Sequence, residues 1–384
     1  MLTDFRNYVS ESMSCGPAPI VLVGPNGAGK TNCLEAVSLL TAGRGLRGVP
    51  FSELGRGGGG GAWAVSANVI LNGEDMQIGT GVQPLPNIPL TARSPRIVKI
   101  DGAIKKGSGA LAPVRMLWLT PAMDGLFTGP AADRRRFVDR FVLSLDPGYA
   151  KLSAAYDRAM RQRNKALEDF APPVLLDSLE SQMVDSGTAI VIGRRNAFDS
   201  LSRQILACRD EAGESPFPWA EVALAGELEQ SVREQGVEAT AAAYRARLHQ
   251  GRDRDRAAGR TLTGPHRSDL AVAHGPKAMA ARVCSTGEQK ALLIGLILAQ
   301  ARLIKAANDA TAPIILLDEI AAHLDFERRA ALFSSLLDLK AQVWLTGTDA
   351  ETFVPLSKAG AAQFFLVSNG TITPAIDAES LTKH

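Results

Sequence analysis

Gly24-Pro25-Asn26-Gly27-Ala28-Gly29-Lys30-Thr31 follows the apolar run Ile20-Val21-Leu22-Val23 and precedes Leu34, Val37 and Leu40 at helical spacing. The pattern is Gly, four residues, then Gly-Lys-Thr, with a strand in front and a helix behind. Its physics is specific. Glycines let backbone amides converge on phosphate oxygens, and the start of the helix adds a partial positive charge. Lys30 offers a point charge to the β- and γ-phosphates, and Thr31 offers a hydroxyl to Mg²⁺. The stretch therefore predicts an ATP cradle made of all eight residues at the end of a strand in an α/β fold.

A second stretch completes the chemistry. Pro313-Ile314-Ile315-Leu316-Leu317-Asp318-Glu319 reads as a buried strand delivering two carboxylates at its carboxyl end, where open α/β sheets bind ligands. Asp318 is expected to hold Mg²⁺, directly or through water. Glu319 is the candidate catalytic base for the attacking water. A third stretch, Cys284-Ser285-Thr286-Gly287-Glu288-Gln289-Lys290, leads into the apolar residues 291–299. Its local reading is a capping box, with Ser285 as N-cap and Glu288 three residues on. A helix start of that kind also suits an anion.

Composition limits the alternatives. With 42 Lys+Arg against 40 Asp+Glu the net charge is only +2, which excludes a polybasic tail protein but leaves room for local basic patches. The apolar share of 46% and charged share of 21% are those of a packed globule rather than a disordered chain. Cys15, Cys33, Cys208 and Cys284 lack zinc-ligand spacing and read as reduced thiols. The longest apolar run is about half of what a membrane span needs, and residues 1–8 carry no signal-peptide pattern. The expectation is a cytoplasmic protein with no membrane association.

The rest of the chain gives an organisation. Residues 62–104 read as antiparallel strands, with hairpin turns at Asn72-Gly73 and Asp101-Gly102. The five glycines 57–61 read as a flexible turn, since no strand leads into them and no Lys-Thr follows. Residues 151–249 are mostly helical. Leu152, Tyr156, Ala159, Met160, Leu167 and Phe170 share one face, and Leu176, Leu179, Met183, Ile190, Phe198, Leu201 and Ile205 share another. After residue 256 the chain returns to strand and loop. The last 120 residues alternate helix and strand, which argues for a parallel sheet closed by a hairpin at Asn369-Gly370. The expected fold class is a mixed-sheet P-loop ATPase head with an antiparallel β subdomain, formed from residues 1–125 and 262–384, and a mainly helical arm inserted at 126–261.

The position of the Ser285 stretch, about thirty residues before the Asp-Glu strand, is similar to the signature motif of ABC-type ATPases. That resemblance implies that Ser285, Gly287 and Glu288 help bind ATP held by a second subunit. Ile320-Ala321-Ala322-His323-Leu324-Asp325 fills the place of the loop that crosses the dimer seam. His323 is there either a nucleotide sensor or a surface histidine. Trp344-Leu345-Thr346-Gly347-Thr348 stands where many such ATPases carry a switch histidine, leaving Thr346 or Thr348 as candidates for γ-phosphate sensing.

The order of motifs resembles the RecF family of bacterial DNA repair proteins, related to SMC heads. The resemblance runs through Asp4-Phe5-Arg6-Asn7-Tyr8, the Gly24–Thr31 loop, Leu119-Thr120-Pro121 and Asp133-Arg134-Arg135-Arg136-Phe137-Val138-Asp139. It continues through Thr263-Gly264-Pro265-His266-Arg267-Ser268-Asp269-Leu270, the Ser285 stretch, Leu317-Asp318-Glu319 and Thr346-Gly347-Thr348. It implies a weak ATPase that dimerises on ATP and Mg²⁺. It also implies binding of DNA at single-strand gaps or single-strand/double-strand junctions, a RecR-type mediator partner, help in recombinase loading, and a part in replication-linked repair and the SOS response. Family members usually carry a few more residues before the Asp-Phe-Arg-Asn block, so the start is expected to be shortened. The rival readings are the ATPase subunit of an ABC transporter and a small-molecule kinase. Arg134, Arg135 and Arg136 point about 100° apart on a helix and cannot all share one face; with Arg140 they either form a solvated helix face, or one or two reach DNA or nucleotide phosphate while another pairs with Asp133 or Asp139. Arg158, Arg161, Arg163 and Lys165 read as a solvated face. His266-Arg267 lies on a turn and either positions the arm or reaches ligand.

Overall fold

The computed structural model describes residues 1–58, 60–71, 73–83, 94–212, 216–358 and 360–381. Contacts divide the chain into two compact units: Met1–Asp124 and Leu293–His384 with residues 214–217, and Gly125–Gly213 with Pro218–Leu292.

The first unit begins with β1 (Leu2–Phe5), β2 (Tyr8–Glu11), β3 (Ile20–Val23) and helix α1 (Lys30–Ser38). Next come β4 (Trp63–Leu71), β5 (Glu74–Val82), β6 (Ile97–Ile100), β7 (Ala103–Lys105) and β8 (Met116–Leu119). The antiparallel expectation holds: one sheet runs β2-β1-β4-β5-β6-β7. Asp101 and Gly102 both take positive φ (49° and 77°), as the turn there requires. Asn72, and Gly59 of the glycine run, lie outside the described residues. Asp4 and Phe5 of the Asp4 block lie on β1, which pairs with β2 and β4.

The second unit is helical for most of its length: α2 (Ala131–Leu145), α3 (Tyr149–Glu168) and α4 (Pro173–Ala212), the last about 60 Å long at 1.5 Å per residue. The face chosen on α4 is right, since Leu176, Leu179, Met183, Ile190, Phe198, Leu201 and Ile205 are all buried. On α3 the stripe ends early. Phe170 is 77% exposed, because the helix has stopped at Glu168 and Phe170 takes φ +52° in the turn. Arg256 covers its ring instead.

Then follow β9 (Ala220–Ala225), α5 (Glu227–Gln235), α6 (Val237–Gln250), α7 (Arg252–Ala257), β10 (Asp269–His274) and β11 (Met279–Ala280). One expectation changes here. Residues 220–225, read as part of the helical stretch, are a strand that pairs antiparallel with β10. That pairing, with β11 on the far side of β10, gives the unit its own three-stranded sheet. It also explains why residues up to Leu292 group with the helices, where the sequence reading closes the insertion at 261.

Helix α8 (Thr286–Ala306), β12 (Ile314–Leu317), α9 (Phe326–Leu339), β13 (Val343–Gly347), α10 (Val354–Lys358), β14 (Gln363–Ser368), β15 (Thr371–Ala375) and α11 (Ala378–Leu381) complete the chain. The first unit's second sheet is ordered β15-β14-β3-β13-β12-β8. Its strands are parallel except β15, which closes the expected hairpin on β14. Parallel strands buried on both faces need continuous apolar sequence, and Ile20, Val21, Leu22, Ile315, Leu316, Leu317 and Leu345 are all at most 2% exposed. On α1, Cys33 and Leu34 face the same core. No helix among the described residues is long and apolar enough to cross a membrane.

Candidate functional site

In the first unit, β3 and β12 both end at the same edge of the parallel sheet, with β13 between them. The loop after β3 carries Gly24 to Gly29, and α1 opens on Lys30. Gly27 and Gly29 take φ of +80° and +122°, which L side chains rarely adopt. Gly24 is required for space, since a Cβ there would meet the Val367 carbonyl oxygen at 2.1 Å. Pro25, Asn26 and Gly27 are exposed, while Ala28 and Gly29 are buried beneath them.

The charges converge beside this loop. Lys30 is buried, and its Nζ donates to the Gly24 and Pro25 carbonyls at 2.7 and 2.9 Å. Burial pulls its ammonium below the usual lysine value, while the Glu319 and Asp318 carboxylates push back. Thr31 Oγ1 donates to the Asp318 carboxylate at 2.9 and 3.0 Å, bridging 287 positions of sequence. Thr346, at the end of β13, donates from Oγ1 to Asp318 Oδ1 at 2.8 Å and accepts from the Glu319 amide at 2.9 Å. Glu319 sits in left-handed backbone, φ +54°. Thr348 is exposed, and the His323 side chain lies outside what is described.

These residues fit Mg²⁺ with a nucleoside triphosphate. The loop is a glycine-rich backbone turn, with Gly27 and Gly29 at positive φ, that leads straight into the start of α1. Thr31 and Asp318 bring a hydroxyl and a carboxylate together, the small oxygen donor set with which proteins hold Mg²⁺ when phosphates and water complete the shell. No cluster of three or more His, Cys, Asp or Glu side chains that would cage a metal exists among the described residues.

The loop is braced by residues outside its own motif. Asn7 Nδ2 donates to the Ala28 carbonyl at 2.9 Å, and Tyr8 OH donates to the Gly29 carbonyl at 3.0 Å. Asn32 holds the Asn7 side chain in turn at 2.8 Å. Arg6 and Arg47 both pair with Glu35, buried on α1, at 2.8 and 2.6 Å. The only sequence signal was the Asp4-Phe5-Arg6-Asn7-Tyr8 block, whose partners are chosen by the fold.

In the second unit, the Ser285 stretch forms the capping box its spacing predicts. The Ser285 amide and hydroxyl both donate to Glu288 Oε2 at 2.8 Å, and Lys277 pairs with Glu288 Oε1. The Lys277 ammonium and the Ser285 donors hold the Glu288 carboxyl well below the usual range, at about 2. Ser285, Thr286 and Gly287 are exposed at this tip, with Val283 62% exposed beside them.

Several basic residues of this unit are bonded to neighbours within it. Arg134 makes a two-pronged pair with Asp269, at 2.7 and 2.9 Å. Arg135 donates to the Ser268 carbonyl at 2.9 Å, and Arg136 pairs with Asp133. Arg163 is not on a solvated face at all. It is fully buried and bonded to Glu180, Asp255, Thr261 and the Leu248 carbonyl. His266 bonds the Tyr156 hydroxyl at 2.7 Å and the Thr261 carbonyl at 3.0 Å, so it braces its own unit. Burial holds its pKa below the usual histidine value.

The family model described as the RecF/RecN/SMC N-terminal domain matches residues 1–361. A relative from Mesorhizobium japonicum, named DNA replication and repair protein RecF, is 49% identical over 381 residues, covering 98% of this chain and 97% of its own. Its namesake from Brucella suis is 48% identical over 378 residues, covering 97% and 94%. Among solved structures, the recombination mediator protein RecF with ATPrS, of the RecFOR pathway, superposes with a TM-score of 0.80 at 19% identity, covering 97% of this chain and 96% of that one. An Smc head bound to the C-winged helix domain of ScpA gives 0.51 at 15% identity, covering 99% and 98%. At those identities the two structures speak to the fold alone.

Proposed function

The chain belongs to the RecF family, and from that premise we propose that it is an ATP-dependent DNA-binding protein of replication and recombinational repair. The observation that carries this reading is the bond from Thr31 to Asp318, formed beside a buried Lys30 with Glu319 next in sequence. In this reading the loop 24–31 binds the phosphates of ATP, with Lys30 as the point charge. Thr31 and Asp318 hold Mg²⁺, which when bound neutralises phosphate charge. Glu319 takes the proton of the attacking water as general base.

Dimerisation gives the switch. Ser285 and Gly287, on the exposed tip capped by Glu288, contact ATP held by Lys30 of a second copy, so two copies enclose two nucleotides. Hydrolysis is slow and opens the clamp. The closed form grips DNA at single-strand gaps or single-strand/double-strand junctions in the cytoplasm. There it engages a RecR-type mediator and helps to load recombinase, which links it to the SOS response. With aromatics at 5% of residues, DNA contact rests on the phosphate backbone rather than on base stacking.

Sedimentation tests the reading, with and without ATP and gapped DNA, for wild type beside Glu319→Gln. Wild type should dimerise only with ATP. Glu319→Gln should remain dimeric, because nucleotide binding is kept while the base is lost. A Glu319→Gln chain whose association is indifferent to ATP contradicts the clamp.

A further inference from the structure

We infer that Thr346 is the positioning residue of the hydrolytic centre, its one hydroxyl tying the metal-holding carboxylate of Asp318 to the backbone of Glu319. The inference rests on the reading above, because it presupposes that Glu319 acts on water.

Register puts Thr346 where it is needed. Leu345 pairs with Leu317 and Thr346 with Leu22, so one step beyond Leu345 the chain comes level with Asp318. β13 lies between β3 and β12, and Thr346 therefore stands between the phosphate loop and the acidic turn. It is 1% exposed. Both of its bonds are short and complementary: the hydroxyl proton goes to Asp318 Oδ1 at 2.8 Å, and an oxygen lone pair receives the Glu319 N–H at 2.9 Å.

Hydroxyl bookkeeping decides between two roles. A threonine has one hydroxyl proton, and Asp318 takes it. Thr346 thus has no proton left for a phosphate oxygen, and the sensing role expected from its sequence position gives way to a bridging one. The bridge has a specific task. In extended backbone, successive side chains point to opposite faces, which would send Asp318 and Glu319 apart. The left-handed conformation of Glu319, φ +54°, breaks that alternation. Such a conformation persists in an L residue only where its surroundings fix it, and the Glu319 amide is fixed by Thr346. Both carboxylates are felt by the Lys30 ammonium, as expected of two acids held toward one loop.

Steady-state ATP hydrolysis by wild type, Thr346→Val, Thr346→Ser, Glu319→Gln and the Glu319→Gln/Thr346→Val double variant tests this, with nucleotide affinity measured in parallel. Thr346→Val keeps the shape and removes the hydroxyl. Its kcat should fall by roughly tenfold, a part of what a general base contributes, with KM within about twofold. Thr346→Ser should recover most of the loss. The double variant should be no slower than Glu319→Gln alone, because the two residues act as one unit. If Thr346→Val hydrolyses ATP at the wild-type rate while Glu319→Gln is slow, or if it slows Glu319→Gln by a further tenfold, the inference is wrong and the ATPase reading stands. If Glu319→Gln itself is as fast as wild type, the reading of the base fails and takes the inference with it. Should Thr346→Val not fold, amide exchange at Glu319 in the unsubstituted chain decides: slow exchange supports the bond, and exchange at the rate of an open turn overturns it.

Discussion

Single positions divide into those the sequence advertises and those only the fold explains. Lys30, Thr31, Asp318 and Glu319 are recognisable because their spacing and flanking strands are local signals. Lys30→Ala should abolish nucleotide binding, read directly by fluorescent-nucleotide titration, while leaving the fold intact. Gly29 is equally constrained, for a reason invisible in the motif: besides its φ of +122°, a Cβ would lie 2.6 Å from Asn7 Nδ2 and 2.8 Å from the Tyr8 hydroxyl. Gly29→Ala should therefore destabilise the loop by about 1–3 kcal/mol and weaken ATP binding with it. Arg163 was legible only as a charge. Its guanidinium is buried with Glu180 and Asp255, each side chain 2% exposed. Arg163→Ala leaves those carboxylates uncompensated and should lower unfolding free energy by about 3–5 kcal/mol. On the same helix Lys165 is 64% exposed beside Glu168 and Asp169, and Lys165→Ala should scarcely move the melting temperature.

Elements were readable where their pattern was local and misread where a distant partner decided. The capping box at the start of α8 needs only residues 285–288, and it forms as written. β9 has the sequence Ala-Glu-Val-Ala-Leu-Ala, which propensity assigns to helix; it becomes a strand because β10, more than forty residues later, offers it an edge. Ser285→Ala should cost about 1 kcal/mol at the helix start. Ser285→Arg should leave ATP binding intact and block ATP-dependent dimers, as sedimentation would report. The cap also has a pH signature. Because the folded-state pKa of Glu288 is depressed to about 2 from 4.5, its contribution is complete above pH 4.5 and is lost as pH falls through about 2. In Lys277→Ala the Glu288 midpoint, followed by NMR, should climb back toward 4.5; a midpoint that stays put would show that Lys277 is not the cause.

At the scale of the whole chain, alternation of helix and strand disclosed the parallel sheet, and paired turn residues disclosed the antiparallel one. The sequence did not disclose that residues 269–274 pair with β9, since strand partners are not written in either strand alone. Net charge is also a whole-chain quantity, and at +2 it gives little long-range attraction. Binding to gapped DNA should then depend on local phosphate contacts and fall by about an order of magnitude or more between 50 and 200 mM salt; a flat response would argue against backbone recognition. The thiol of Cys33, buried in the core two residues past Thr31, is driven up to about 12 by burial, so it is protonated and shielded while α1 is seated. Iodoacetamide can reach it only when this region opens, which makes the chain its own clock: the alkylation rate at that position, mapped by mass spectrometry, times the breathing of the phosphate loop without any foreign label.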